Sequence, residues 1–356
     1  MHATRLLIAL RTLMEKERLD ALLLTDPPHV RFFSGFKGST ALLFITRRSA
    51  LLITDGRYRG ESRSVQHVAV HIAKRSLFEA LGKKVHLPPD SVVGIHERHA
   101  SFADVQAMKF HLPGMKVRTA AKLIGSVTSV RSRRDLASQS TAVKLSEFVF
   151  GEILDMLRPG VREDEIAAEI TYLHRRFGAE RDAFEPIVAS GPRSTLPHAC
   201  PRGRKLRRGD LVVIDFGCVV GGFTSDIART VSIGRPSRRV REMYDAVLEA
   251  QSRAIEAVAD GVRGKEVDRA ARDLLTSRGY GREFIHAAGH GLGIEVHEPP
   301  RISPRSNDIL ARGNVIAIEP GVYLPRVGGI RLEDDLIVTR SGAALLTHLP
   351  REMIIV

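Results

Sequence analysis

The chain has 356 residues, 43% hydrophobic and 27% charged, with two cysteines and no tryptophan. That length exceeds one ordinary core and predicts two domains. The cysteine count excludes a disulfide-stapled or cysteine-rich zinc scaffold, and the shortage of aromatics argues against a stacking platform for single strands. Net charge is +13 from 54 basic and 41 acidic residues. The basic residues fall in small groups at Arg131, Arg133 and Arg134, at 202–208 and at 235–241. Scattered charge of this kind reads as a solvated arginine-rich surface, with nucleic acid as the less favoured partner.

Residues 4–18 predict an amphipathic helix, with Leu6, Leu7, Leu10 and Leu13 on one face. The run is broken by Arg11, Glu15, Lys16, Glu17 and Arg18. It therefore reads as neither a signal peptide nor a membrane span, and a cytoplasmic protein is expected. Strand-length apolar runs follow at 21–24, 41–45, 50–53, 68–72 and 92–95, with a helix at 102–110. The first 125 residues thus predict a small mixed α/β domain. Residues 126–134 form the expected junction, and 135–356 the second domain.

Helices are predicted over 135–157 and 163–177. Pro159-Gly160 ends the first, and Gly178 ends the second. In the second, Ile166, Ile170, Leu173 and Phe177 form one buried stripe. Two further helical stretches lie near 240–259 and 264–278. Around them, apolar strands run into acidic residues: LVVI into Asp215, VIAI into Glu319 and GIRL into Glu333. An alternating buried strand makes a lone carboxylate costly. Several converging carboxylates need a multiply charged cation.

Five candidate metal ligands result: Asp215, Asp226, His290, Glu319 and Glu333. Four carboxylates and one imidazole suit two divalent ions of the manganese, cobalt, zinc or iron type. The Gly289–Gly293 pattern lacks the strand-to-helix context and the Lys-Ser/Thr of a phosphate loop. Cys200, two residues from His198, has no apparent orienting group and is not read as a nucleophile. Tyr323 reads as a structural or rim residue.

At these positions the chain resembles a known family. DFGC at 215–218, SDIARTV at 225–231, HAAGHGLGIEVHE at 286–298, IEPGVY at 318–323 and GIRLEDDLIVT at 329–339 look like the signatures of the pita-bread metallopeptidases. TDPPHVRFFSGF at 25–36 and TDGRY at 54–58 resemble the creatinase-like N-terminal domain of the Xaa-Pro aminopeptidase and prolidase branch. The resemblance implies an α/β chain with a creatinase-like domain followed by a pita-bread catalytic domain, and a homodimer. It implies that Asp215 chelates one ion, that Asp226 and Glu333 bridge both, and that His290 and Glu319 hold the second. Glu319 is the expected general base. His198, His286 and His297 look like the family's active-site histidines, suited to stabilising an oxyanion. Arg331, two residues before Glu333, is expected to pair with the carboxylates.

The implied activity is hydrolysis of the Xaa-Pro bond at the N-terminus of proline-containing peptides. An Xaa-Pro dipeptidase is the near alternative. A non-catalytic binding protein on the same fold is the distant one; four mutually repelling carboxylates argue against it.

Overall fold

A computed structural model describes residues 2–356, which divide into two compact units, one up to Thr128 and one from Ser129. The first unit contains α1 (His2–Lys16), β1 (Ala21–Leu24), α2 (Pro27–Ser34), β2 (Ala41–Thr46), β3 (Ala50–Asp55) and β4 (Ala69–Ala73). It continues with α3 (Leu77–Lys84), β5 (Val92–Ile95), α4 (Phe102–His111), β6 (Lys116–Thr119) and α5 (Ala121–Thr128). The six strands form one mixed sheet in the order β4-β3-β2-β1-β5-β6. β2 and β3 make an antiparallel hairpin, and β1 pairs parallel with β5.

Successive residues of β1 and β2 alternate between two cores. Leu22, Leu24, Leu43 and Ile45 pack on one face with α1 and α5. Ala21, Leu23, Leu42 and Phe44 pack on the other with residues of α3 and α4. Burial on both faces explains why these strands read as continuous apolar runs. Residues 126–128, expected in the junction, instead close helix α5, and Val127 and Thr128 are buried.

The second unit has α6 (Arg133–Ile153), α7 (Glu163–Arg176), β7 (Arg181–Asp182), β8 (Ile187–Ser190), β9 (Leu211–Phe216), β10 (Cys218–Val220), β11 (Phe223–Thr224) and β12 (Ile227–Ser232). Then come α8 (Arg238–Glu256), α9 (Gly264–Ser277), β13 (Gly289–Gly291), β14 (Glu298–Ile302), β15 (Val315–Ile318), β16 (Gly321–Leu324), β17 (Gly328–Arg331), β18 (Asp334–Val338), β19 (Ala343–Leu345) and β20 (Ile354–Ile355). Ser132 caps α6 through a reciprocal capping box with Asp135.

Two helix pairs each back a sheet of their own. α6 and α7 bury Val149, Phe150, Ile166 and Ile170 against Val212, Ile214 and Val231. α8 and α9 bury Val247, Ala254, Val267 and Ala271 against Ile316, Ile318 and Leu336. β9 is buried along its whole length rather than at alternate residues, so the expected alternation is corrected. Its outer face is covered by helices, and its inner face carries Asp215.

Candidate metal centre

Strand register assembles the site. Asp215 lies near the end of β9 and pairs with Ala228 of β12. Ala228 also forms a bridge with Glu333, whose N–H donates to the Ala228 carbonyl at 3.0 Å. Asp226 precedes β12 by one residue and therefore sits beside both carboxylates. In the neighbouring sheet, His290 on β13 pairs with Ala317 on β15. The Glu319 N–H donates to Ala288 O at 2.9 Å, which fixes that carboxylate at the strand end.

Glycines make these close approaches fit. A Cβ on Gly289 would stand 2.0 Å from the Ala317 carbonyl, and one on Gly217 would stand 1.8 Å from that of Ser225. Both contacts are with backbone, which cannot swing aside.

Asp226, His290 and Glu333 bring ligand atoms within 4.8 Å of one another, all three residues buried. His290 Nε2 is 3.7 Å from Asp226 Oδ2, 3.6 Å from Glu319 Oε1 and 4.0 Å from Glu333 Oε1. Asp215 joins the group from the far side. Its Oδ2 accepts from Arg331 Nη2 at 2.6 Å. The expected pairing of Arg331 with the cluster is thus specific to one carboxylate.

Electrostatics say what this arrangement needs. Burial, followed by repulsion from neighbouring carboxylates, pushes Asp226 and Glu333 well above the ordinary carboxylate range. Burial also raises Asp215 and Glu319. Asp215 Oδ1, Asp226 Oδ1 and Glu333 Oε1 are buried with no hydrogen-bond partner. Lone pairs held dry, convergent and unsatisfied are costly without a cation. The donor set therefore fits divalent metal ions. His290 is lowered to about 4 by burial, so it stays a neutral ligand across the physiological range.

The histidines expected around the centre take different stations. His286 is partly buried; its Nε2 lies 2.9 Å from the Tyr323 hydroxyl. Its backbone is fixed by Arg272, which donates to His286 O at 2.8 Å and is clamped by Asp268. The His297 ring lies 4.3 Å from that of His290 and is lowered by burial and by that neighbour. His198 is exposed and follows Pro197, whose carbonyl accepts from Arg331 Nη2 at 2.9 Å, which sets it beside the cluster.

Tyr323 is buried, so of its two readings, structural or rim, only the structural one remains. It is 6% exposed, and its hydroxyl meets both His286 Nε2 and Arg331 Nη1, the latter at 3.3 Å. Its place four residues after Glu319 was the available signal.

Three acidic and basic residues inside the quoted motifs went unnamed. Asp335 Oδ2 accepts from the Asp226 N–H at 3.0 Å. Arg229 donates to Glu333 O at 2.6 Å and pairs with Asp334 at 2.6 Å, both side chains 1% exposed. These groups hold the ligand-bearing backbone in place. Only their neighbours' roles across the sheet reveal them, which a linear reading does not contain.

Two sheets converging carboxylates and one imidazole beside helix pairs define a pita-bread metallopeptidase centre. The chain belongs to metallopeptidase family M24, which it matches over residues 138–340, and its residues 7–130 match the creatinase/prolidase N-terminal domain. It is a metallo-exopeptidase that depends on divalent metal ions.

Among its relatives, the Xaa-Pro dipeptidase of Pyrococcus furiosus is 34% identical over 96% of this chain and 97% of its own. A solved Xaa-Pro dipeptidase from Bacillus anthracis superposes with a TM-score of 0.94 at 32% identity, covering 99% of this chain and all of that one. An X-Pro aminopeptidase from Thermotoga maritima gives 0.86 at 35% identity, over 96% of this chain and all of that one. Among the described residues, no helix is long and apolar enough to cross a membrane.

Proposed function

We propose that this protein hydrolyses the Xaa-Pro bond of short peptides, with Xaa-Pro dipeptides as its first substrates and longer Xaa-Pro peptides as the second reading. The observation that carries the proposal is the meeting of Asp226, His290 and Glu333 within 4.8 Å, their buried carboxylate oxygens unsatisfied. Placing dipeptides first rests on the Pyrococcus and Bacillus relatives, whose names specify Xaa-Pro dipeptidase. The sequence alone had favoured the aminopeptidase, and the Thermotoga structure keeps that reading in view.

Asp215, Asp226, His290, Glu319 and Glu333 would hold two divalent ions, manganese first, with cobalt, zinc or iron as the other candidates. When bound, such ions supply Lewis acidity and lower the pKa of a water.

The chain's own residues do the rest. Glu319, raised by burial, can take a proton and return it to the departing proline nitrogen. His297 and His198, at the open side, are placed to donate to a carbonyl oxygen that gains charge. His297 is held neutral by burial and its histidine neighbour, so it donates without adding a repelling charge to the ions. Arg331 holds Asp215 in one orientation and, through Tyr323, holds the ring of His286.

The test is direct. Metal-free protein is resupplied with Mn2+, Co2+ or Zn2+ and offered Ala-Pro and Ala-Pro-Ala. Hydrolysis of Ala-Pro at the higher kcat/KM supports the dipeptidase. A higher kcat/KM on the tripeptide moves the assignment to the aminopeptidase. Cleavage of neither with any of the three ions overturns the proposal.

A further inference from the structure

A second group of metal-competent side chains lies in the first unit and takes no part in the catalytic reading. It begins with two short motifs, Asp26-x-x-His29 and His96-x-x-His99. Asp26 is the N-cap of α2, accepting from the His29 N–H at 3.1 Å. His96 follows β5 directly. The His99 and Ala100 N–H groups both donate to His96 O, at 3.0 and 2.9 Å, so a tight turn folds His99 back toward His96.

Topology brings the motifs together. β1 and β5 are adjacent and parallel, with Leu23 opposite Ile95. Asp26 and His96 therefore leave the sheet at the same, carboxyl end. The strand order diverges here, since β1 leads on to β2 on one side and β5 leads on to β6 on the other. In open α/β sheets that position is the usual place for a ligand.

The side chains converge. Ring centroids stand 4.8 Å apart for His29 and His96, 4.3 Å for His96 and His99, and 5.4 Å for His29 and His99. Asp26, His29 and His99 place donor atoms within 4.8 Å of one another. Asp26 Oδ2 lies 2.6 Å from His29 Nδ1, while Asp26 Oδ1 is buried with no hydrogen-bond partner. The Asp26 side chain is 9% exposed and that of His29 is 2% exposed. A carboxylate on one ring nitrogen fixes the tautomer and leaves Nε2 as the lone-pair donor, the arrangement that orients metal-ligating histidines.

The three rings bring several ring nitrogens close together beside the Asp26 carboxylate. Bond lengths of 2.0–2.2 Å put tetrahedral zinc ligands about 3.3 Å apart, so small side-chain rotations close the shell.

We propose that Asp26, His29, His96 and His99 form a separate, mononuclear site for a borderline divalent transition ion of the Zn2+ class. Imidazole and carboxylate donors select such ions over Mg2+ or Ca2+. The site ties the loop after β1 to the turn after β5, and so acts as a staple in the first unit. It stands independently of the peptidase reading.

The test counts metal in full-length protein whose catalytic centre has been disabled by Asp226→Asn and Glu333→Gln together. After dialysis against Zn2+ and then metal-free buffer, about one zinc per chain is expected. Adding His29→Gln or His99→Gln should remove at least nine-tenths of it. Co2+ in place of zinc should give an intense visible band that both histidine variants abolish.

A folding failure of the disabled background is met by a second comparison. Otherwise native protein and His99→Gln are titrated with Zn2+, and the variant should bind one equivalent fewer. Retention of no zinc in a folded background overturns the proposal. So does one equivalent that survives both histidine substitutions, or equal stoichiometry of native protein and His99→Gln.

Discussion

Tyr323 shows how much a single hydroxyl organises at this centre. It connects His286 to Arg331, and Arg331 in turn grips Asp215. Arg331 is almost fully buried, and its Nε already lacks a hydrogen-bond partner. Burial of such a group is tolerated because Asp215, followed by Tyr323 and Glu319, holds its proton more tightly than usual. Removing the hydroxyl in Tyr323→Phe leaves two buried nitrogens short of a partner, at a cost of about 1–3 kcal/mol. We expect kcat/KM on Ala-Pro to fall about tenfold, the lower half of that range, with the fold retained. Steady-state kinetics beside a melting curve check this. An unchanged kcat/KM would reduce Tyr323 to packing.

At the scale of elements, the site depends on strands approaching more closely than side chains allow. β13 is only three residues long, and His290 is its middle residue. Gly289 faces the Ala317 carbonyl of β15, and Gly291 faces the Pro299 carbonyl, where a Cβ would stand 2.2 Å away. The Gly289→Ala variant must push β13 off β15 and carry His290 with it. A displacement of about 1 Å costs roughly 100-fold in rate. Gly289→Ala should therefore lose about that much activity and bind less metal, measured by elemental analysis after dialysis. Native metal content and rate in this variant would show that the ladder yields without moving the ligand. On the opposite sheet, Arg229 does by charge what the glycines do by size. It fixes the Glu333 carbonyl and pairs with Asp334, so the turn between β17 and β18 cannot drift.

For the molecule as a whole, metal and proton compete for the same oxygens. The metal-free carboxyls of Asp226 and Glu333 titrate well above their ordinary values because burial and mutual repulsion penalise the charged forms. The metal-free centre thus keeps protons at pH values where free carboxylates have lost them. Metal must expel those protons, so affinity rises with pH and falls as pH drops through the raised titration range of these carboxyls. His290, already neutral down to about 4, contributes nothing to that loss. Calorimetric titration with Mn2+ in buffers of different ionisation enthalpy should reveal proton release on binding. Affinity that is flat over this range, with no proton release, would contradict the account. The pH dependence has the opposite sign for the stability of the metal-free fold. Between the ordinary and the raised pKa, the native carboxyls bind more protons than the unfolded ones, so their contribution to stability declines as pH rises. Bound cations remove that penalty.

Much of this was legible in the chain itself. Five of the six strands of the first unit, the helices around 133–153 and 163–176, and the candidate ligands Asp215, Glu319 and Glu333 follow from apolar runs, proline and glycine stops, and carboxylates set where apolar strands end; β6 (Lys116–Thr119), short and largely exposed, left no such run. Burial makes such carboxylates costly, and that cost is readable without coordinates. What the linear order lacked was who stands opposite whom. The bridge between Ala228 and Glu333, the hold of Asp335 on Asp226 and the link from Tyr323 to His286 join residues 105, 109 and 37 positions apart. The pairing of β1 with β5 likewise gathers Asp26 and His29 with His96 and His99, two motifs that look unremarkable alone. Sequence patterns record which faces are buried, because burial acts on each residue separately. Register and through-space partners depend on how distant strands align, and only the folded chain decides that.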